Sequence, residues 1–324
     1  MRQLRRDRSA VVGLVVIALF SLSALLAPVL APEDPAKVDF VNRFASPSPR
    51  HPLGTDNLGR DVLSRLLFGG RLSIGMAVAA TVGLTVVGVV MGLVAATYGR
   101  VAETVIMRLV DVLLAVPMLI LALVVVGLLG QGLRNLVVTI ALVNWPNYAR
   151  VVRGMALSIR EREFIDAARA VGASRPRIVA RHIAPNLLGP IVVLSTLDMG
   201  RVLLAVSGLS FLGFGIPPPT PEWGAMLAEA KAFLDRAPML LVWPGLAITL
   251  LVLAFNLAGD GLRDLLDPRV AQHAPRGVRR PRRLGRRAPT SVGSPPATPT
   301  GIPVPTSPGF GPHEPESAAG VDGR

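Results

Sequence analysis

The chain has 324 residues, of which 51% are hydrophobic and only 17% are charged, a composition that excludes an ordinary soluble domain. Its net charge of +13 comes almost entirely from arginine. The absence of cysteine excludes disulfides, thiolate metal ligands and cysteine nucleophiles. Together these properties are typical of a polytopic membrane protein.

Uncharged apolar stretches recur along the chain. A bilayer core needs about 20 apolar residues per helix, and we predict six transmembrane helices in an all-α fold. Residues 1–9 form the N-terminus, 10–31 the first helix and 32–71 a loop, and residues 72–260 hold a core of five helices with a polar loop over 153–185. The first helix also resembles a signal peptide, but its long apolar run and the prolines at its end favour an uncleaved anchor.

The distribution of arginine predicts the orientation of these helices. Basic residues concentrate in the N-terminus, around Arg100, over 150–181 and over 263–287, whereas those of the other connections are largely balanced by acids. Because positively charged segments remain in the cytoplasm, both termini are predicted to be cytoplasmic. We therefore expect a multi-pass protein of the cell (inner or plasma) membrane.

The loop over 32–71 is predicted to be extracytoplasmic and ends in the sequence GRDVLSRLLFGGRLS. Its apolar residues share one helical face, and Asp61 lies four residues before Arg65, a spacing that favours an ion pair. We predict that this segment forms a short amphipathic helix on the membrane surface. Trp223 falls near the same level and is predicted to be an aromatic anchor at the membrane interface.

Residues 261–324 form a tail rich in arginine, proline and small residues, without apolar periodicity. Such a segment buries too little surface to offset its ordering entropy, so we predict that it is disordered in the cytoplasm. Its sequence RGVRRPRRLGRR is either a simple positive-inside flank or a site for anionic lipid headgroups. Nucleic acid is not an expected partner, because the cluster has no aromatic residue for base stacking.

The polar loop over 153–185 contains two helical patterns separated by Gly172, which permits a turn. Ser174 is placed to cap the second helix, and Pro185 is placed to end it. The small side chain of Ala173 would let another protein's backbone approach closely. One apolar face of the first pattern consists of residues with helical spacing: Phe164, Ala167, Ala168 and Val171. These patterns fit an ordinary basic loop and a knob shaped for a partner protein equally well.

The sequence DAARAVG, followed by HIAP, resembles the EAA loop of ABC importer permeases, in which EAA precedes a glycine and a later I-x-L-P. Asp166 replaces the glutamate, and His182 and Ala184 replace the isoleucine and leucine. The remaining motif positions match: Ala167, Ala168, Gly172 and Pro185. Two further stretches, HPLGTDNLGRDVLSRLLFGGRLS and LSFLGFGIPPPTPEWGAML, resemble the dipeptide/oligopeptide/nickel branch of this family.

The resemblance implies a type I ABC importer permease (MetI-like) fold, in the second of the two permeases that such importers use. It implies that ATPase coupling involves Glu163, Asp166, Ala167, Ala168, Gly172, Ala173, Ser174 and Pro185. The implied partners are a homologous second permease, one or two ABC ATPase subunits, an extracytoplasmic substrate-binding protein and the lipid bilayer. The implied cargo is a peptide or a related small solute such as nickel.

The chain lacks a sequence for ATP hydrolysis. A phosphate-binding loop ends in Gly-Lys-Ser/Thr, and neither of the lysines, Lys37 and Lys231, follows a glycine. We therefore expect this chain to have no catalytic residue and to bind no cofactor, with ATP and Mg bound by the partner ATPase subunits. Its histidines show no metal-ligand spacing, so no metal site is predicted.

Asp198 and Arg201 lie three residues apart in the fifth predicted helix, where charged residues are costly. They either neutralise each other against a neighbouring helix or line a translocation path. The alternative function is an ion-coupled secondary transporter, which needs coupling carboxylates in broken helices near the bilayer midplane. Asp198 is the only acid deep in a predicted span, and Arg201 is placed to neutralise it, so the sequence disfavours this alternative.

Overall fold

The computed structural model describes residues 8–266, and the predicted all-α class is confirmed. Within that range, one isolated β-bridge joins Thr55 to Asp61. The α-helices are α1 (Arg8–Leu25), α2 (Ala27–Leu30), α3 (Val62–Thr97), α4 (Arg100–Ala115), α5 (Met118–Leu129), α6 (Leu133–Arg160), α7 (Glu163–Ala170), α8 (Arg175–Ile178), α9 (Ala184–Leu209), α10 (Trp223–Lys231) and α11 (Met239–Leu266).

Four helical segments of the described range are long and apolar enough to cross a membrane. They are α1, α3, α11 and a continuous helix from Arg175 to Phe214 that includes α8 and α9. The pair α4 and α5 meets at a bend of 98° and would provide a fifth span. α6, with 28 residues, lies where the remaining span was predicted. These helices are compatible with the predicted number of six.

The ends of several predicted segments differ from the structure. α1 ends at Leu25 and a separate helix, α2, carries Pro28, because proline has no N–H with which to continue the hydrogen bonds of α1. α11 continues to Leu266, beyond the predicted end of the core at residue 260. From residue 267 onwards, the predicted tail lies outside the described residues, as do residues 1–7.

α3 and α6 pack against each other along a row of small residues. A Cβ atom added to Gly88 of α3 would lie 2.3 Å from the Cβ atom of Tyr148, and one added to Gly92 would lie 2.7 Å from the carbonyl oxygen of Ala149. Only glycine fits at these two positions. This close approach is how membrane helices associate, since burying apolar surface gives them no advantage over lipid.

The prediction of a separate short helix before the second span is wrong: residues 62–71 belong to α3, which continues without interruption to Thr97. Asp61 is the N-cap of this helix and accepts hydrogen bonds from the backbone N–H and the hydroxyl of Ser64, both at 2.7 Å. It therefore does not pair with Arg65, contrary to the prediction. A helix that is capped at Asp61 and packed along its length has no reason to break at the membrane surface.

Trp223 is a buried core residue, and its predicted role as an interfacial anchor is wrong. Its indole lies against Gly69 and Gly70 of α3, and its Nε1 donates a hydrogen bond to the carbonyl oxygen of Leu66 at 2.9 Å. The ring also meets the ring of Phe20 edge to face, with centroids 6.0 Å apart. The two glycines leave room for the indole, so the contact joins α1, α3 and α10.

Candidate functional site

α7 and α8 form a compact helical unit beside the ends of α3 and α6. Gly172 lies between them with φ of +79°, in the left-handed region that glycine adopts most readily. Its N–H donates to the carbonyl oxygen of Arg169 at 2.9 Å, and the N–H of Ala173 donates to that of Ala168 at 3.0 Å. This pair of bonds is the Schellman motif, which ends α7 and sets the direction of α8.

The unit is attached to the bundle by buried isoleucines. Ile165 of α7, Ile178 of α8 and Ile183 are buried among apolar residues of three other helices: Ala96, Val152, Ala156, Ile159, Leu187 and Ile191. The end of α6 is held to the end of α3 in addition, because Arg160 donates a hydrogen bond to the carbonyl oxygen of Ala96 at 2.8 Å. These contacts attach α7 and α8 directly to α3, α6 and α9.

Of the apolar face predicted for α7, only Ala168 packs inward. Ile165 and Ala168 point into the bundle, whereas Phe164 and Val171 are exposed, the latter to 84%. The sequence pattern showed which residues share a helical face, but only the packing partners decide which face turns inward. The unit thus presents apolar side chains on its outer surface, where membrane lipid or another protein would cover them.

Most residues predicted to couple to an ATPase lie on this exposed surface. Arg169 donates a hydrogen bond to Asp166 at 2.8 Å, and the two acids of α7 lie in its first turn, where they complement the helix dipole. Ser174 occupies the N-cap position of α8, but its side chain makes no capping hydrogen bond. The exposed members of the predicted set are Glu163, Asp166, Ala167, Gly172, Ser174 and Pro185, while Ala168 and Ala173 are half-buried.

Pro185 does not end the second helix, contrary to the prediction. A π-helical turn over Val179–Ile183 connects α8 to α9, so the chain continues as one helix through the proline. In a π-helical turn the hydrogen bonds reach one residue further back than in an α-helix. This change just before Pro185 relieves the clash between the proline ring and the preceding turn, and Pro185 needs no N–H there. The helical unit is therefore continuous with the long helix α9.

A cavity of about 600 Å³ lies between α5, α6 and α9. Asp198 and Arg201, predicted as a charged pair, both line it, together with Asn144, Asn147 and Tyr148. The Asp198 side chain is 19% exposed and that of Arg201 is 86% exposed, and the nearest charged atoms, Oδ1 and Nη1, are 3.8 Å apart. This distance is at the limit of an ion pair, so the two charges compensate each other only loosely.

Tyr148 was not singled out from the sequence, yet it is the most enclosed polar residue of the cavity, with 2% exposure. Its hydroxyl lies close to Asp198, Ser195 and Thr85 but makes no well-aligned hydrogen bond within residues 8–266. Ser195 itself is within 3.1 Å of the hydroxyl of Thr85. The signal in the sequence was only the polar run N-W-P-N-Y in an otherwise apolar span.

A buried ion network joins the start of α3 to α10. Arg60 donates to Asp56 Oδ2 and to Glu229 Oε2, both at 2.6 Å, and Arg65 donates to the same two oxygen atoms at 2.9 Å. Burial raises the pKa of Glu229 above its ordinary value, while Arg60 acts in the opposite direction. Beside the network, Nδ1 of His51 lies 3.0 Å from Oδ1 of Asp61. Sequence reasoning missed these pairings, which lie outside the candidate coupling surface.

The helical bundle, the attached helical unit and the cavity at mid-bundle together define a polytopic transport permease. The family model for binding-protein-dependent transport system inner membrane components matches residues 88–272. A second model, for the N-terminal transmembrane domain of oligopeptide transport permease C, matches residues 1–47. The chain therefore belongs to the family of binding-protein-dependent transport system inner membrane components, and it is a permease subunit of an ABC importer.

Relatives of known designation match over most of this chain. The dipeptide transport system permease protein DppC of Alkalihalophilus pseudofirmus is 43% identical over 269 residues, which cover 83% of this chain and 88% of that protein. The nickel transport system permease protein NikC of Escherichia coli is 43% identical over 263 residues, covering 81% and 95%. DppC of Haemophilus influenzae is 39% identical over 274 residues, covering 83% and 93%.

The solved structures to which the chain is similar include inward-facing conformations of the MetNI methionine ABC transporter. One crystal form aligns with a TM-score of 0.53 and 19% identity, covering 63% of this chain and 97% of that chain. Another aligns with a TM-score of 0.52 and 18% identity, covering 63% and 98%. The predicted type I importer (MetI-like) fold is thereby confirmed, and the secondary transporter alternative is not favoured.

Proposed function

We propose that this chain pairs with a homologous second permease in an importer for peptides or a related small solute such as nickel. The designations of the relatives, dipeptide transport in two of them and nickel transport in another, support this range of cargo. In this assembly, one or two ABC ATPase subunits supply energy and an extracytoplasmic binding protein delivers the solute. Among residues 8–266 there is no cluster of three metal-ligating side chains.

The observation that carries the proposal is the attachment of the helical unit α7–α8. Its inner face is buried at Ile165, Ile178 and Ile183, and its outer face exposes Phe164 and Val171. We infer that this outer face docks on a cytoplasmic ATPase subunit. The unit continues into α9, which lines the cavity, so a displacement of the unit would move the cavity wall.

Each coupling residue has a role that follows from its position. Glu163 and Asp166 supply negative charge at the exposed start of α7, while Ala167 keeps the surface flat for a partner backbone. Ala168 packs inward against the isoleucine cluster. Gly172 supplies the left-handed turn between the two helices.

The remaining coupling residues lie after the turn. Ala173 and Ser174 begin α8, and Pro185 marks its connection to α9. We propose that ATP and Mg bind to the ATPase subunits, and that this chain binds no cofactor and has no catalytic residue. Docking of α7–α8 in the cytoplasm agrees with the arginine distribution, which favours cytoplasmic termini.

Substitution of Gly172 tests the coupling proposal in the complete importer reconstituted in proteoliposomes. Valine is poorly tolerated at positive φ, whereas asparagine adopts this region more readily. We expect Gly172→Val to reduce ATP-driven uptake about tenfold, from a conformational cost of about 1–2 kcal/mol, and to leave ATP hydrolysis uncoupled from transport. Gly172→Asn should retain most of the uptake.

Gly154→Val is the matched control. Gly154 also has open space around its Cα, but it lies inside α6 with ordinary helical φ. Pull-down of the tagged chain before and after substitution shows whether the second permease and the ATPase subunits are retained. Equal loss of uptake in the Gly172→Val and Gly154→Val importers would contradict the proposal.

Parallel assays with a labelled dipeptide and labelled nickel identify the cargo.

A further inference from the structure

We propose that the cavity between α5, α6 and α9 binds the ammonium group of a peptide-like solute, with Asp198 as its anionic partner. This inference rests on the proposed peptide transport, and it names the solute group that the translocation path would bind. The cavity volume of about 600 Å³ is within the range of pockets that hold small molecules. Its lining is mostly apolar, with a few polar side chains grouped on α6 and α9.

The charge of Asp198 is the first reason for this assignment. An ionised group inside a membrane protein is costly unless it is paired or faces a functional cavity. The charged residues of the lining are Asp198 and Arg201, and the largely buried carboxylate lies 3.8 Å from a guanidinium that is 86% exposed. Arg201 can therefore turn toward another group, and a cation that enters the cavity would provide the missing compensation.

The hydroxyl of Tyr148 is the second reason. It is buried behind the cavity lining, near the carboxylate of Asp198 and the hydroxyls of Ser195 and Thr85, and makes no well-aligned hydrogen bond within the described residues. A hydroxyl in this position is placed to donate to the Asp198 carboxylate and to favour its charged form, which a cation in the cavity would then compensate. Asn144 donates its side-chain N–H to the carbonyl oxygen of Ile140 at 2.9 Å, which leaves its amide oxygen to accept a bond.

These groups match an ammonium ion better than they match other solute groups. The two oxygens of the Asp198 carboxylate and the Asn144 amide oxygen are three acceptors on the cavity lining, and an ammonium group has three donors. The exposed Arg201 would then bind a carboxylate of the same solute, as the two ends of a short peptide require. An anionic metal chelate would be repelled by Asp198, so it is the competing occupant in the test.

The absence of cysteine from the chain makes a labelling experiment direct. Leu194→Cys introduces a thiol on the cavity lining, one helical turn from Asp198. Its reaction rate with a neutral methanethiosulfonate is measured in the complete transporter, without the binding protein, so that the binding protein's own selectivity does not enter. The competitors are alanyl-alanine, N-acetyl-alanyl-alanine and the anionic nickel–citrate chelate.

We expect alanyl-alanine to slow the labelling several-fold, whereas the acetylated dipeptide and the chelate leave the rate unchanged. Asp198→Asn should raise the half-protecting concentration of alanyl-alanine at least about tenfold, since bonds to a charged group are stronger than neutral ones. Asp198→Glu, which keeps the charge, should restore protection. Val86→Cys, on an exposed part of α3 outside the cavity lining, should show no protection in any background.

Four outcomes would overturn the proposal. They are equal protection by both dipeptides, protection by the chelate alone, labelling of Leu194→Cys that no competitor slows, and a failure of Leu194→Cys to react at all. The comparison of free and acetylated dipeptides uses native Asp198, so it decides the question even where Asp198→Asn fails to assemble. ATP-driven uptake by the same transporter separates the two proposals. Uptake that persists without amine-dependent protection rejects the cavity chemistry alone, whereas uptake without an ATPase rejects the proposed function.

Discussion

Arg65 of α3 and Glu229 of α10 are 164 positions apart in sequence, and Nη2 of the arginine donates a hydrogen bond of 2.9 Å to Oε2 of the glutamate. Arg60 donates to the same oxygen, and both guanidinium groups are almost fully buried. The shared carboxylate holds the segment before α3 against α10. Each of the two arginines also donates to Asp56, so both buried guanidinium groups keep an anionic partner when Glu229 is protonated.

The first prediction concerns the pH dependence of stability at Glu229. Burial raises its pKa above the ordinary value of 4.5, so the folded protein takes up this proton at a higher pH than the unfolded chain. Protonation of Glu229 contributes its full stabilisation below pH 4.5, and this stabilisation is lost as the pH rises through the raised pKa of the folded protein. The melting temperature of the native transporter, minus that of Glu229→Gln, should therefore fall as the pH rises across this window.

Asp235→Asn serves as the control, because Asp235 is an exposed acid of the same region. Its melting temperature should follow that of the native protein across the same pH range. The melting-temperature difference between the native and Glu229→Gln transporters could instead stay constant or grow with pH. Either result would show that burial does not raise the pKa of Glu229.

The second prediction concerns the contact of α3 with α6. In Gly88→Ala the new Cβ atom would lie 2.3 Å from that of Tyr148 and 2.9 Å from the carbonyl oxygen of Trp145, so the helices must separate. We expect a loss of about 1–3 kcal/mol, the usual cost of overpacking, measured as a lower melting temperature. Gly75→Ala is the matched control on the same helix, since Gly75 has no neighbour within 4 Å.

Gly75→Ala should be neutral or slightly stabilising, because alanine is favoured over glycine in a helix by roughly 0.5–1 kcal/mol. Equal melting temperatures for the two variants would mean that α3 and α6 do not approach this closely in the assembled transporter. Gly88→Ala should also displace Tyr148 and reduce uptake more than its effect on melting alone explains.

The third prediction separates attachment from docking in the helical unit. Ile165→Ala removes a buried side chain of α7, and we expect a local cost of about 2–5 kcal/mol. Faster hydrogen exchange at the amides of α7 would report this loss. Val171→Ala removes a side chain that is 84% exposed, and it should leave hydrogen exchange unchanged while it weakens retention of the ATPase subunits in a pull-down.

Two outcomes would contradict these assignments, one for each variant. Normal ATPase retention by Val171→Ala, with hydrogen exchange as in the native chain, would argue that the exposed face of α7 meets lipid and not a protein. Unchanged exchange in Ile165→Ala would argue that the isoleucine cluster does not hold the unit to the bundle.

The turn between α7 and α8 could be predicted because its determinants are local. Gly172 adopts positive φ where the sequence placed a turn, and Ser174 occupies the predicted N-cap position although its side chain forms no cap. The direction in which α7 faces could not be predicted. Periodicity grouped Ala168 with Phe164 and Val171, whereas in the structure Ala168 packs inward beside Ile165. Both faces are apolar enough to pack, so the neighbouring helices decide between them.

Composition and arginine distribution by themselves predicted an all-α membrane protein with a helical unit between two of its spans, and the resemblance of the motif around Gly172 to an importer loop implied a permease. Only the tertiary structure decided that Trp223 is buried, that Arg65 pairs with Glu229, and that Tyr148 shares a cavity with Asp198. The physical reason is the same for all three. In a membrane helix, the residues facing lipid and those facing protein are both apolar, so hydropathy does not reveal the packing partners, and pairings between distant residues depend on how the helices assemble.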